Sequence, residues 1–387
     1  GSEMCIRDSK EMMRKLVDTG MNIIRLNFSH GDYEEHGRRI KTIREIVKET
    51  GKSIAILLDT KGPEVRLRNF KNGSVELTAG QEFTLTTDED VEGDETRCAI
   101  SYAALPQDVT VGDTILLDDG LVRLTVLETT GKTIRCRVEN GGTMKNHKGV
   151  NVPGVSLSMP YMSQQDRDDI LFGVEQGFDF IAASFVRCAA DIREIRRVLD
   201  SVHSHIRIIA KIENQEGVSN LREILAEADG VMVARGDMGV EIPYEELPDI
   251  QKTIINACRL AGKRCITATE MLESMIQNPR PTRAEITDVA NAVYDGTSCV
   301  MLSGESAAGK YPVEAVKAMA EIAEYTEQHT GYKSLFLKTE YNGQNNLDCL
   351  SHAVCSMAID VNAKAIVVCS VSGKTAMLVS RFRTPVD

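Results

Sequence analysis

Two short strings carry the densest chemistry in the chain. Lys211-Ile-Glu213-Asn214 and Ala234-Arg235-Gly236-Asp237 each close an apolar run, over residues 206–210 and 230–233, of the short, β-branched kind that forms strands covered on both faces. Lys211 and Glu213 are two apart, so they share a strand face. Mg²⁺ takes one or two protein carboxylates and keeps its other positions for water and substrate oxygens. Glu213 and Asp237 beside a fixed ammonium therefore suit an oxygen-ligated divalent metal. The alternative is that both strings merely cap strands for solubility.

A second constellation follows the strand pattern Asn22-Ile23-Ile24. Arg25, Asn27 and Ser29 alternate on one face, and the next strand pattern ends in Asp59-Thr60. Asn, Ser, Asp and Thr oxygens together make a hard-cation site with one full negative charge, more suited to a monovalent ion than to Mg²⁺. Arg25 beside it has the fork to clamp a phosphoryl group. Gly236 lets backbone approach a ligand, and residues 237–240 offer amides to a carboxylate. Thr269 and Ser303 also end apolar strands, where a hydroxyl either relays a proton or caps the next helix. Gly373-Lys374-Thr375 lacks the full nucleotide-loop spacing, because position 368 is Val368. A turn of Ser370, Ser372, Gly373, Lys374 and Thr375 opening a helix still suits a phosphate.

These residues need a scaffold, and the chain alternates helix and strand patterns to supply it. Helices are expected near 10–19, 33–50 and 191–200, and strands near 22–28, 53–59, 179–184, 206–211, 230–234, 264–268 and 299–302. Strand starts spaced by 24 to 35 residues suit a (β/α)8 TIM barrel, although the count reaches seven where closure needs eight. Between Gly62 and Gly154 the grammar changes to alternating runs, at 74–78, 83–86, 121–127 and 133–138, broken by Asn72-Gly73, Gly112-Asp113, Asp119-Gly120 and Gly141-Gly142. This reads as an inserted small β-barrel over the active end, placed to act as a lid. Residues 347–361 read as a helix and 365–370 as a strand. The expected division is 1–62 and 155–340 for the barrel, 63–154 for the lid and 341–387 for a partial α/β domain.

Composition narrows the partners. With 45 basic and 57 acidic residues the net charge is −12, which speaks against nucleic acid and anionic membrane. No stretch is long and apolar enough for a spanning helix, and the start lacks the zones of a signal peptide. The ten cysteines are scattered without CxxC or zinc-like spacing, as in a reducing cytoplasm. Gly1-Ser2 reads as a cloning remnant, and residues 3–8 carry no usable periodicity.

With these residues assembled, the chain resembles the pyruvate kinase family over nearly all of residues 10–387. The resemblance rests on Arg25-Leu-Asn-Phe-Ser-His-Gly31, Leu58-Asp-Thr-Lys-Gly-Pro-Glu-Val-Arg66, Lys148-Gly-Val-Asn-Val-Pro-Gly154, Lys211-Ile-Glu-Asn-Gln-Glu-Gly217, Ala234-Arg-Gly-Asp237, Asn278-Pro-Arg-Pro-Thr-Arg-Ala-Glu285 and Met301-Leu-Ser-Gly-Glu305. It implies phosphoryl transfer from phosphoenolpyruvate to ADP, giving pyruvate and ATP, with Mg²⁺ (or Mn²⁺) and K⁺, in a cytoplasmic protein whose relatives form homotetramers. By the same resemblance Glu213 and Asp237 would hold Mg²⁺, and Asn27, Ser29, Asp59 and Thr60 would hold K⁺, with Glu64 tied to K⁺ dependence. Lys211 and Arg25 would serve the phosphoryl group, Gly236, Asp237 and Thr269 the pyruvate moiety, and Ser303 the proton relay. Asn27, His30, Arg66 and Lys148 would meet the nucleotide, and the Ser370–Thr375 turn a sugar-phosphate effector.

The chain also departs from the family pattern. It lacks the opening strand with its Thr-Ile-Gly-Pro turn, which would account for the missing eighth strand, and its last domain ends early. Cys188 and Ala308 stand where many relatives carry nucleotide-contacting lysines, and Glu270 stands where Gln is usual. Two other readings remain: a Mg²⁺-dependent barrel lyase or aldolase acting on an enolpyruvate, and an inactive fragment.

Overall fold

The structure is a computed structural model that describes residues 9–339, 341, 343, 345–384 and 386. The readings of Gly1-Ser2 and of residues 3–8, and the boundary residue 340, lie outside the described residues.

Seven parallel strands form the central sheet, each paired with the next of the seven in chain order. The first two are β1 (Ile23–Asn27) and β2 (Ala55–Asp59), joined by a helix over Tyr33–Thr50 that Asp32 caps. Eight strands of a different character follow: β3 (Ser74–Leu77), β4 (Glu82–Thr86), β5 (Arg97–Ala99), β6 (Thr114–Leu117), β7 (Val122–Thr129), β8 (Thr133–Val138), β9 (Gly142–Lys145) and β10 (Val150–Asn151). The parallel sheet then resumes with β11 (Phe180–Ala183), β12 (Arg207–Ile212), β13 (Gly230–Ala234), β14 (Arg264–Ala268) and β15 (Cys299–Met301). Each of the seven expected strands is present, and among the described residues no strand joins β15 back to β1.

Strand parity sorts the sheet into two cores. Ile56, Leu58, Ile181, Ile208, Ala210, Val231, Val233 and Cys265 face the helices, in the largest buried cluster. Leu57, Ala182, Ile209, Met232, Ala234, Ile266 and Ala268 fill the barrel interior. A sheet buried on both faces must be apolar at nearly every position, which is why these strands read as continuous hydrophobic runs.

Strands β4 to β8 and β10 form one six-stranded sheet, while β3 pairs with β9. Isolated bridges from Arg66 to Gly149 and from Leu67 to Ile100 close that sheet on itself, giving the expected small barrel around Phe83, Leu85, Ile115, Leu124 and Ile134. Four of its strands, β5, β6, β9 and β10, were not expected from alternation.

Toward the end of the chain, helices span Asn346–Asp360 and Lys374–Ser380 around a cluster of Phe336, Cys355, Ile359 and Phe382. Residues 365–370 are not a strand. They have no described strand to pair with, and Val367 is 88% exposed, so their apolar run lacks the ladder that would order it. Arg383 donates to Thr297 O at 2.9 Å, tying this region to the barrel. Among the described residues no helix is long and apolar enough to cross a membrane, and no cysteine is disulfide-bonded.

Candidate active site

The C-terminal ends of β2, β11 and β12 meet at Lys211. Parallel register sets Asn27 beside Asp59 and Asp59 beside Ala182, bringing β1, β2 and β11 level at their ends. Lys211 Nζ then lies 2.8 Å from Ser184 Oγ, 3.2 Å from Asp59 Oδ1 and 3.0 Å from Glu213 Oε1. Burial alone would lower the lysine, but Asp59 and Glu213 outweigh it and hold the ammonium well above the ordinary lysine range. Arg25 Nε meets the other oxygen of Asp59 at 2.5 Å. Burial opposes ionisation of Asp59, yet Lys211 and Arg25 keep it below the usual carboxylate range. One carboxylate thus aligns two cations toward the same space.

Glu213 behaves differently. It is fully buried, accepts from Phe185 N at 2.5 Å, and its Oε1 makes no hydrogen bond of good geometry despite the nearby ammonium. Burial and the charge of Asp237 push it up to about 8. A buried carboxylate that one lysine does not satisfy, with a second carboxylate in electrostatic reach, fits a further cation. Mg²⁺ takes one or two protein carboxylates and leaves its other positions to water and substrate oxygens, a demand that Glu213 and Asp237 fit. Phe185 holds a left-handed φ of 54°, strain that aims its amide at Glu213.

Asn27 and Asp59 are paired where β1 and β2 end, with Ser29 and Thr60 just beyond them in the chain. Asn27 Oδ1 accepts from Ser29 N at 3.0 Å, and Thr60 Oγ1 from Ser184 N at 3.1 Å. Two amide and hydroxyl side chains, one more hydroxyl and one carboxylate form an all-oxygen set that fits a monovalent cation. Gly62, at φ 70°, packs so close that a Cβ there would meet Ser184 O at 2.9 Å. The loop after β2 needs that glycine to reach the site.

Gly236 and Thr269 are also brought together, though not as open donors. Gly236 N donates to Thr269 Oγ1 at 2.7 Å, which in turn donates to Ala268 O. That amide is therefore taken, and the helix over Arg235–Glu241 encloses residues 237–240, leaving Asp237 and Met238 in its first turn. Arg235 locks the same corner through Ala268 O, Thr269 O and Asp288.

A cleft of about 630 Å³ opens between the small barrel and the sheet, lined by Arg66, Lys148, Asn151, Asp237 and Glu241 among others. Arg66 pairs with Glu64 at 2.8 Å and Lys148 with Asp118 at 2.8 Å. Arg25, Asn27 and His30 do not line that cleft; the His30 carbonyl lies 3.0 Å from His36 Nε2. Ser303 Oγ is buried without a hydrogen-bond partner, while its amide donates to the buried Glu305 at 2.7 Å. Glu285 of the Pro-Arg-Pro-Thr motif completes a capping box with Thr282, a structural task. In the 370–375 turn, Ser370, Ser372 and Lys374 are exposed, Gly373 and Thr375 half-buried, and the turn is not among the residues lining the cleft. Sequence reasoning missed Ser184 and Glu241. Ser184 closes β11 just as Ser303 closes β15, and that position was the available signal.

A family model described as pyruvate kinase, barrel domain, matches residues 5–316, and one described as pyruvate kinase, alpha/beta domain, matches residues 348–387. The chain is 53% identical over 380 residues to a pyruvate kinase of Geobacillus stearothermophilus, covering 97% of this chain and 65% of that protein. It is 49% identical to one of Clostridium perfringens, spanning 80% of its length. A crystal structure of a pyruvate kinase from Cryptosporidium parvum superposes with a TM-score of 0.92 at 41% identity, covering 98% of this chain and 79% of the other. The chain spans just under two thirds of the Geobacillus protein, and with its fold, its strand-end residues and these matches it belongs to the pyruvate kinase family.

Proposed function

We propose that the chain transfers the phosphoryl group of phosphoenolpyruvate to ADP, yielding pyruvate and ATP, in the cytoplasm. The observation that carries this reading is Lys211, whose ammonium is fixed by Ser184, Asp59 and Glu213 beside a carboxylate that calls for a cation. Phosphoryl transfer needs positioning and charge more than covalent chemistry, and this site offers both.

Lys211 and Arg25 face the charge that spreads over the phosphoryl oxygens in flight. Glu213 and Asp237 would hold Mg²⁺ (or Mn²⁺), and Asn27, Ser29, Asp59 and Thr60 would hold K⁺. Bound there, the ions would supply positive charge to the phosphoryl and enolate oxygens. Gly236, Asp237 and Thr269 orient the pyruvate moiety, and Ser303, with its unpartnered hydroxyl, serves the proton relay. Residues 63–154 act as a lid that carries Arg66 and Lys148 to the nucleotide, which Asn27 and His30 would meet from outside the cleft that those two line.

The test is a coupled assay of the purified chain with phosphoenolpyruvate and ADP. Formation of ATP and pyruvate that requires both Mg²⁺ and K⁺, and that Lys211→Met lowers by about a thousandfold or more, is the expected result. Absence of ATP, with cleavage of a longer oxo-acid instead, would replace this reading by a lyase.

A further inference from the structure

The barrel interior has a second polar layer, at the end opposite the candidate active site. Arg207 lies on the face of β12 that carries Ile209 and Lys211, and Arg264 on the face of β14 that carries Ile266. Both side chains therefore start toward the N-terminal mouth of the barrel. The Arg264 guanidinium confirms that direction, lying 5.7 Å from the ring centroid of Phe180 on β11, three places away in the sheet.

Neither guanidinium has a hydrogen bond or an ion pair among the described residues. The aspartates at this end are engaged elsewhere. Asp179 accepts from Ile56 N at 2.8 Å and faces Arg44 at 3.8 Å, while Asp229 accepts from Ile208 N at 2.9 Å and from Arg196 at 2.7 Å. Lys263 spends its ammonium on the carbonyls of Leu225, Ala226 and Ala228. Burial first, then the like charge of Arg207, lower Arg264 from the ordinary arginine range, and Asp229 offsets only part of that. In a chain of net charge −12, two arginines left to repel each other are out of place. A groove of about 500 Å³ opens beside Arg207, lined by Ala55, Phe178, Asp179, Phe180 and His205 as well, and Arg264 reaches its Phe180 wall from across the sheet.

We propose that this N-terminal mouth is an anion site, in which Arg207 and Arg264 hold a phosphate-type dianion beside the Phe180 ring. Guanidinium forks match phosphate oxygens in pairs, and an aromatic wall keeps Arg264 extended for the purpose. The site is separate from the phosphoryl-handling end, since Lys211 lies four residues further along β12, about 13 Å away.

The test is thermal unfolding and isothermal titration of the full chain with inorganic phosphate, against sodium chloride of matched ionic strength. Phosphate at about 20 mM should raise Tm by roughly 2 °C or more where chloride does not, with a saturable titration. In the double variant Arg207→Gln/Arg264→Gln that response should weaken at least about tenfold, while the unfolding temperature in chloride holds or rises as the repulsion is removed. Should the double variant fail to fold, Arg207→Lys keeps the charge without the fork and should still lose most of the phosphate response. Glycerol phosphate titrated alongside separates a site for phosphate monoesters from one for the free ion. A phosphate response that survives both substitutions, or that chloride reproduces, overturns the proposal.

Discussion

Ser184 Oγ accepts from Lys211 Nζ at 2.8 Å and donates to the carbonyl of Thr60 at 2.6 Å, so one buried hydroxyl joins the lysine at the end of β12 to the backbone that follows β2. Among the described residues Lys211 otherwise meets the Asp59 carboxylate and the Glu213 carboxyl group. Ser184→Ala should leave the ammonium mobile and Thr60 O without its donor, costing about 1–2 kcal/mol of stability. Because the loss falls on a group that acts on the transition state, kcat should drop by about tenfold with little change in KM for phosphoenolpyruvate. Steady-state kinetics beside a denaturant melt would show it. A rise in KM at constant kcat would mean that Ser184 serves ground-state binding instead.

Under the proposed function, Mg²⁺ binding at Glu213 would release a proton. Held at about 8 without metal, it is mostly protonated at pH 7, yet a ligand to Mg²⁺ must be ionised. Titration calorimetry in buffers of different ionisation enthalpy should give close to one proton released per Mg²⁺ at pH 7 and almost none at about pH 9.5. The same shift acts on stability. Because the folded value lies above the unfolded one of 4.5, the metal-free protein should lose stability as pH rises from there through about 8, and Mg²⁺ should flatten that slope.

Asp59 works with the opposite sign. Its folded value is depressed, so its contribution is present above the unfolded value of 3.8 and is lost as pH falls through the folded one. Asp59→Asn would leave Arg25 and Lys211 facing each other in a buried site, at a cost of about 3 kcal/mol near pH 7. Melts from pH 7 down to about 2 should show the gap between variant and parent closing on the acid side. A gap independent of pH would mean that packing, not charge, sets the loss.

The small barrel can be removed at a geometrically closed seam. Val150 N donates to Val65 O at 2.8 Å and Arg66 bridges Gly149, so a short Gly-Ser turn can replace residues 66–148 without stretching either end. The seven-stranded sheet should still melt cooperatively, while ADP-dependent turnover disappears with Arg66 and Lys148. Unchanged turnover would remove the lid from the mechanism.

Much of this arrangement is legible in the residues themselves. The parallel strands show because burial on both faces forces continuous apolar runs, and their last residues announce the site because polar groups there have no other reason to interrupt such runs. The strands β5, β6, β9 and β10 do not show, being two to four residues long and held by their neighbours rather than by their own alternation. Residues 365–370 mislead for the converse reason, an apolar run with no described partner. Ser184 is marked in the chain only by its position at the close of β11, and its contacts with Asp59, Thr60 and Lys211 from two other strands appear only once the fold exists.

The register of β1 on β2 has a consequence for anyone preparing this protein. A slip of one residue would turn Arg25 and Asn27 toward the helices and set Leu26 beside Asp59, while leaving much of the hydrophobic content and helicity intact. Circular dichroism would scarcely notice such a molecule. Turnover would, if the proposed activity is the readout, and specific activity would then assay folding fidelity: the fraction of active sites in a preparation would count the chains whose first two strands have zipped in phase.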